Sequence, residues 1–143
     1  MSVSKKSGRS AVAKDRVGFD QASVARAKRR LLRDAAKPND DRDRAFQKMI
    51  LSIPSGKVST YGHVAAASGY PLYHRAVARL LRTDLPDQLP WHRVVGAGGE
   101  IKLPGTAARE QRARLKMEGV GFRGNRVDME KFEAQLRPWE VWE

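Results

Sequence analysis

Few residues of this chain have a type and a spacing suited to chemistry. The sequence contains no cysteine, which excludes disulfides, cysteine-ligated zinc and every cysteine nucleophile. Its three histidines, His63, His74 and His92, do not form a metal-ligand spacing with one another. The chain therefore predicts no metal site and no cofactor, and it offers no thiol for covalent catalysis.

The charge of the chain is its second informative feature. Twenty-eight Lys and Arg against 16 Asp and Glu give a formal charge of +12 on 143 residues. A surplus of this size favours a polyanionic partner, most often nucleic acid and sometimes an acidic membrane surface. No apolar run approaches the roughly 18 residues of a spanning helix, and the N-terminus lacks the apolar core of a secretory signal. We expect a cytoplasmic protein, nucleoid-associated if bacterial, with no membrane partner.

A composition shift predicts two regions, a basic N-terminal extension at 1–39 and a globular domain at 40–143. Residues 1–40 hold eleven Lys and Arg and four acids, a net charge of +7. The first 16 or so residues are expected to be disordered because they have little to bury. The run at 20–36 favours a helix that Asp20 would cap. At this stage it is open whether the extension is a solvated tail, a docked helix or a second nucleic-acid contact.

The globular region begins with three predicted helices. Apolar residues at helical spacing predict the first at 41–53 and the third at 72–82. Between them, Ser59 or Thr60 would cap a brief helix that ends at Gly69. The second and third helices are short and joined by a glycine-containing turn, and the third is rich in arginine. This is the spacing of a helix-turn-helix.

The C-terminal part alternates short extended pieces with one charged helix. Residues 101–103 are expected to pair back as the wing of the helix-turn-helix, and a helix is predicted at 106–118. A Gly-Asn turn at 124–125 predicts a hairpin over 120–128. Two tryptophans close to the C-terminus are expected to pack on the domain. The predicted fold class is mainly α with small β, a winged helix-turn-helix domain.

Several motifs, taken in their order along the chain, resemble those of one protein family. Residues 44 to about 122 resemble the C-terminal DNA-binding domain of the O6-alkylguanine-DNA alkyltransferases. The resemblance rests on I-P-x-G-x-V-x-x-Y-G at Ile53–Gly62, R-A-V at Arg75–Val77, P-x-H-R-V-V at Pro90–Val95 and the pair Glu118-Gly119. It covers over half of the chain and leaves the first 40 residues outside.

The signature of that family is P-C-H-R-V, and here it reads P-W-H-R-V with Trp91 in place of the cysteine. This substitution resembles the alkyltransferase-like proteins. Alkyl transfer needs a thiolate, and a neutral indole nitrogen cannot replace it. The resemblance therefore implies a protein that is not an alkyl-transfer enzyme. It also implies that His92, Arg93 and Glu118 form a buried hydrogen-bonded scaffold of a former active site rather than an acid–base group.

The resemblance further implies an apparatus that flips a nucleotide out of the duplex. Arg75 matches the arginine finger that enters the base stack, and Tyr61 matches the tyrosine that rotates the nucleotide. Thr60 and Arg82 match phosphate-contacting positions, and Arg79 would add charge near the DNA. Residue type alone favours a solvated surface arginine at Arg75 and a half-buried core tyrosine at Tyr61. It is their position within the matched motifs that favours the flipping roles.

A lesion pocket is expected beside this apparatus. Trp91 would line it and could stack on the flipped base with a contribution of roughly 1–3 kcal/mol. Leu81, Val94, Ile101 and Leu103 are expected to supply apolar lining. The loop around Leu103 lacks the tyrosine-serine pair of the enzymes, which predicts a wider pocket that accepts bulkier alkyl groups.

Two functional hypotheses follow. The first is a monomeric, non-enzymatic protein that binds O6-alkylguanine in double-stranded DNA by nucleotide flipping and flags it for nucleotide-excision repair proteins. The second is a winged-helix regulator or architectural protein that binds DNA without lesion specificity. Salt-sensitive binding is expected from both, so only discrimination between damaged and undamaged duplexes separates them.

Overall fold

The computed structural model describes residues 20–83 and 89–138. The chain divides into two compact units, Met1–Lys37 and Pro38–Glu143. The described part of the first unit is one helix, α1 (Gln21–Ala36). Asp20 caps it, because its carboxylate accepts a hydrogen bond of 2.7 Å from the backbone amide of Ser23. The expected disorder of the first 16 residues lies outside the described part.

The second unit begins with α2 (Asp40–Leu51), which buries the apolar face that its sequence pattern predicts. Asn39 caps this helix through its side-chain oxygen, which accepts from the amide of Arg42. Phe46, Met49 and Ile50 are at most 2% exposed. These side chains anchor the core of the unit.

The helix-turn-helix is confirmed as α3 (Tyr61–Ala67) followed by α4 (His74–Thr83). Thr60 caps α3 with its hydroxyl oxygen, which accepts from the amide of His63. Helix α4 was predicted to begin at residue 72 and begins two residues later, at His74. Leu72 has a left-handed φ of 75° and therefore stays outside the helix. Val77 of α4 is completely buried.

A short parallel pairing joins the helix-turn-helix to the signature segment, as we call Pro90–Val95. Strand β1 (Ser59–Thr60) pairs with β2 (Val94–Val95). The pairing places the start of α3 beside the 3₁₀ turn Trp91–Arg93, which immediately precedes β2. Residues more than 30 positions apart in sequence are thereby brought side by side in the interior.

The prediction that residues 101–103 form a wing is wrong, because these residues form no strand. A tight turn precedes them, with the amide of Gly96 donating to the carbonyl of Glu100. Gly99 within this turn has a φ of +88°, and a Cβ there would lie 2.4 Å from the carbonyl oxygen of Val127. Position 99 therefore needs glycine. Glu100, the next residue, forms a single antiparallel bridge with Arg126, and the pairing does not continue into 101–103.

The remaining elements form the C-terminal part of the second unit. Helix α5 (Gly105–Met117) follows the predicted charged helix closely, and the predicted hairpin is confirmed as β3 (Phe122–Arg123) paired with β4 (Arg126–Val127). A final turn of helix, α6, spans Met129–Phe132. The predicted packing of Trp139 and Trp142 lies outside the described residues. Among helices in the described ranges, none is long and apolar enough to cross a membrane.

Candidate nucleic-acid interface

A cavity of about 630 Å³ lies beside the helix-turn-helix. Six of the residues that line it belong to the predicted site: Tyr61, Arg75, Leu81, Arg82, Trp91 and Leu103. The other lining residues were not among the predicted site residues: His74, Ala78, Lys102, Ala107 and Glu110. The cavity therefore joins α3, α4, the signature segment, the 102–103 loop and α5 at one place.

The rim of the cavity carries the residues that match the flipping apparatus. Tyr61 is the first residue of α3 and is half-buried, whereas Arg75 and Arg82 on α4 are exposed. Burial raises the pKa of the Tyr61 hydroxyl above its ordinary value of 10.0, and the nearby charge of Arg82 opposes that shift. Tyr61 therefore keeps its proton at neutral pH and can donate a hydrogen bond.

Two predicted lining residues do not lie in the cavity. Val94 is 0% exposed in strand β2 and belongs to the interior. Ile101 packs against a core cluster that includes Val95 and Leu115. The structure thus places both residues against the core instead of at the cavity, because apolar character alone does not distinguish a residue that lines a pocket from one that fills the core.

Two of the predicted DNA-contacting residues, Thr60 and Arg79, likewise do not line the cavity. Thr60 is only 8% exposed, and its hydroxyl oxygen is engaged in the cap of α3, so it has little surface left for a phosphate. Arg79 is half-buried and is not among the cavity-lining residues. Of the predicted cationic contacts, Arg75 and Arg82 are the two at the cavity itself.

Trp91 contacts a pair of interacting residues on α5 that the sequence analysis missed. The guanidinium carbon of Arg114 lies 5.4 Å from the centre of an indole ring of Trp91. Glu110 accepts two hydrogen bonds from that guanidinium, of 3.0 and 2.7 Å. The i,i+4 spacing of Glu110 and Arg114 was the available signal, but only the fold places it under Trp91.

A second, largely buried group of polar residues lies behind the signature segment. Glu118 contacts His92 at 2.8 Å through Nε2 and accepts three hydrogen bonds from Arg93, two from Nε at 3.0 and 3.2 Å and one from Nη2 at 2.7 Å. The remaining Arg93 nitrogen donates to the carbonyl of Ile53 at 2.9 Å, and the amide of Gly56 donates to Glu118 at 3.3 Å. The three residues predicted to form a scaffold are thus in direct contact.

The carboxylate of Glu118 is stabilised in its ionised form by this group. Burial by itself would raise its pKa, but hydrogen bonds from Arg93, His92 and the amide of Gly56 outweigh burial. They lower the pKa from 4.5 to about 2. Glu118 is therefore ionised throughout the physiological range and acts as a fixed acceptor rather than as a proton carrier.

Gln111 completes the support of the signature segment, and the sequence analysis missed it. Its side chain is 1% exposed, and its amide nitrogen donates to the carbonyl oxygens of His92 and Val94 at 3.1 and 3.0 Å. These carbonyls belong to the 3₁₀ turn and to β2. One buried amide therefore ties helix α5 to the backbone on both sides of Arg93.

Within the ranges 20–83 and 89–138, no group of three or more His, Asp or Glu side chains is placed to hold a metal ion. The cavity instead combines an indole and aliphatic side chains with guanidinium groups at its rim. That combination suits a flat, partly apolar ligand that carries phosphate charge.

The comparisons with known proteins agree with this geometry. Residues 41–120 match the family model of the 6-O-methylguanine DNA methyltransferase DNA-binding domain. A DNA base-flipping protein of Vibrio parahaemolyticus is 45% identical over 74 residues, which are 50% of this chain and 73% of the relative. Alkyltransferase-like protein 1 of Schizosaccharomyces pombe is 34% identical over 94 residues, 65% of this chain and 86% of the relative.

Among solved structures, S. pombe Atl1 in complex with damaged DNA containing O6-carboxymethylguanine has a TM-score of 0.60 and 29% identity, and covers 69% of this chain and 99% of its own. The chain therefore belongs to the family of the 6-O-methylguanine DNA methyltransferase DNA-binding domain, as an alkyltransferase-like member with Trp91 at the cysteine position.

Proposed function

We propose that this protein recognises O6-alkylguanine in duplex DNA by holding the flipped nucleotide in the cavity, without transferring the alkyl group. The observation that carries the proposal is the position of Trp91. Its indole lines the cavity together with Tyr61 and Arg75, where the enzymes of the family have their cysteine. An aromatic face can bind a base by stacking but cannot accept an alkyl group by displacement.

Each rim residue has a distinct proposed role. Arg75 would fill the gap in the base stack, because a planar guanidinium can stack on bases while it donates to the orphaned partner base. Tyr61 would press on the backbone beside the lesion, and its neutral hydroxyl can donate to a phosphate. Arg82 would contact a phosphate and fix the position of the protein without reading sequence.

Two similar proteins support this proposal. One is a DNA base-flipping protein from V. parahaemolyticus, and the other is S. pombe Atl1, whose structure contains damaged DNA with O6-carboxymethylguanine. We propose that the present chain acts as a cytoplasmic monomer on double-stranded DNA. The bound lesion would then be handed to nucleotide-excision repair proteins, because a binding protein without an acceptor thiol leaves the adduct in place.

The decisive experiment compares the affinity for an O6-methylguanine duplex with that for its unmodified twin, by anisotropy of labelled DNA. A 2-aminopurine next to the lesion reports unstacking. We expect tighter binding and a fluorescence increase with the damaged duplex. Arg75→Ala should abolish both, whereas Arg109→Ala removes the same charge from an exposed site outside the cavity and should preserve the damaged-to-undamaged ratio.

Equal affinity for the two duplexes would favour the second candidate, a regulator or architectural protein without lesion specificity. The observation in favour of that candidate is the formal charge of +12, which supports DNA binding of any kind. Alkyl label that appeared on the protein after incubation with damaged DNA would contradict both candidates.

A further inference from the structure

Helix α1 carries a row of arginines that the proposed lesion site does not use. Arg26, Arg29, Arg30 and Arg33 follow the spacing i, i+3, i+4 and i+7 within Gln21–Ala36. At 3.6 residues per turn, this spacing places all four on one face of the helix. All four are exposed.

The row has the dimensions of a short phosphate track. Arg26 and Arg33 are seven residues apart, so the row extends over about 10 Å at a rise of 1.5 Å per residue. One strand of B-DNA presents a phosphate about every 3.4 Å along the helix axis. Successive phosphates also wind around that axis, so the row itself is comparable in length to a few of them, and its four guanidinium groups make at most four phosphate contacts.

Two features stabilise helix α1 despite this concentration of positive charge. Asp20 caps its N-terminus with a 2.7 Å hydrogen bond, and Arg33 lies in its last turn, where positive charge is favourable. One acid, Asp34, lies next to the row and is one turn beyond Arg30. Between Asp20 and Lys37 the chain holds six Lys and Arg against two Asp, a net charge of +4.

We propose that this arginine row is a second DNA-binding surface that contacts the phosphate backbone independently of the lesion. The proposal commits to DNA because the opposite face is poorly suited to a membrane. An interfacial helix needs large apolar or aromatic residues there. This helix contains no aromatic residue, and its large apolar residues are only Val24, Leu31 and Leu32.

The proposed surface changes how the protein would search for damage. Phosphate contacts carry no sequence or lesion information, but they hold the protein on undamaged duplex while it samples many bases. The row therefore adds affinity equally to damaged and undamaged DNA. Lesion discrimination stays with the cavity of the second unit.

The test is the salt dependence of binding by the full chain to an unmodified duplex. A variant with Arg26→Gln, Arg29→Gln, Arg30→Gln and Arg33→Gln retains helix-forming residues while it loses four charges. We expect the slope of log K against log salt to fall by about 3, since each lost phosphate contact removes about 0.9. The damaged-to-undamaged affinity ratio should stay unchanged, so this result is separate from that of the lesion experiment.

Two further variants make the result specific. Lys5→Gln, Lys6→Gln, Arg9→Gln and Lys14→Gln remove the same charge from the same extension and should change the slope much less. Arg→Lys at all four positions of the row keeps the charges and should keep the slope. An unchanged slope in the glutamine variant of the row, or an equal fall in both glutamine variants, would overturn the proposal. Tighter binding to phosphatidylserine vesicles than to DNA, lost in the row variant, would overturn it as well.

Discussion

The two sides of the signature segment differ in how their polar groups are engaged. Behind it, Arg93 and Glu118 have side chains that are 18% and 16% exposed and contact each other closely. In front of it, Arg75 and Arg82 are exposed beside a cavity of about 630 Å³. The buried side fixes the backbone, and the open side leaves its cations available to a ligand. Substitutions behind the segment should therefore change stability, and those in front should change binding.

The largest expected effect is the loss of stability in Glu118→Ala. Removal of this carboxylate leaves Arg93 and His92 largely buried without their partner, which costs about 3 kcal/mol. Chemical denaturation measures the change. Glu110→Ala is the matched control, because its partner Arg114 is 48% exposed and such pairs contribute at most about 1 kcal/mol. Equal losses in the two variants would contradict the contrast between the two sides.

The hydrogen bonds to the Glu118 carboxylate should also make the stability of the protein depend on pH. Hydrogen bonds lower the pKa of Glu118 from 4.5 to about 2, so its contribution is complete above pH 4.5 and is lost as the pH falls towards 2. The sign follows because the unfolded chain binds the proton first. Denaturation curves across this window should show a larger decline for the wild type than for Glu118→Gln. Parallel declines would mean that Glu118 is not stabilised in its ionised form.

Gln111→Leu should also destabilise the buried side, by about 2 kcal/mol. The substitution leaves the carbonyl oxygens of His92 and Val94 without their donor, and an unsatisfied buried group costs roughly 1–3 kcal/mol. Thermal or chemical unfolding reports the loss. Gln135→Leu makes the same change at an exposed position and should have little effect.

In front of the segment, Trp91→Ala should lower the affinity for the O6-methylguanine duplex by about tenfold, with a small effect on stability. The lost stacking on the flipped base accounts for the change. Trp91→Phe retains an aromatic face and should recover part of the affinity. If Trp91→Ala instead unfolded the domain without changing the affinity ratio, Trp91 would belong to the buried side.

The smallest expected effect is that of Arg114→Ala, about two- to fivefold in lesion affinity. Arg114 supports the indole of Trp91 from 5.4 Å, and a cation–π contact at an exposed site contributes about 0.5–1 kcal/mol. Arg112→Ala is the control, because Arg112 lies over the ring of Phe122 instead, at 5.3 Å. The two variants should differ in lesion binding and agree in stability.

The elements of the fold were largely predictable because their signals are local. Apolar spacing predicted the helix at 41–53, which is α2, and Phe46, Met49 and Ile50 are buried in it. The same kind of local reasoning identified the helix-turn-helix and the hairpin at the Gly-Asn turn. The prediction of a wing at 101–103 failed, because the backbone just before it pairs at Glu100 with Arg126 of a distant hairpin, a contact that no local pattern announces.

By itself, the sequence determined the absence of a thiol, the tryptophan in the signature segment and the residues of the buried scaffold, because each depends on residue identity within a short motif. Only the tertiary structure decided which residues line the cavity. The pairing of Ser59 and Thr60 with Val94 and Val95 turns Val94 inward, and α5 brings Glu110 and Arg114 to Trp91. Such contacts join segments far apart in sequence, so residue type and periodicity indicate which face is apolar, while packing alone decides what that face meets.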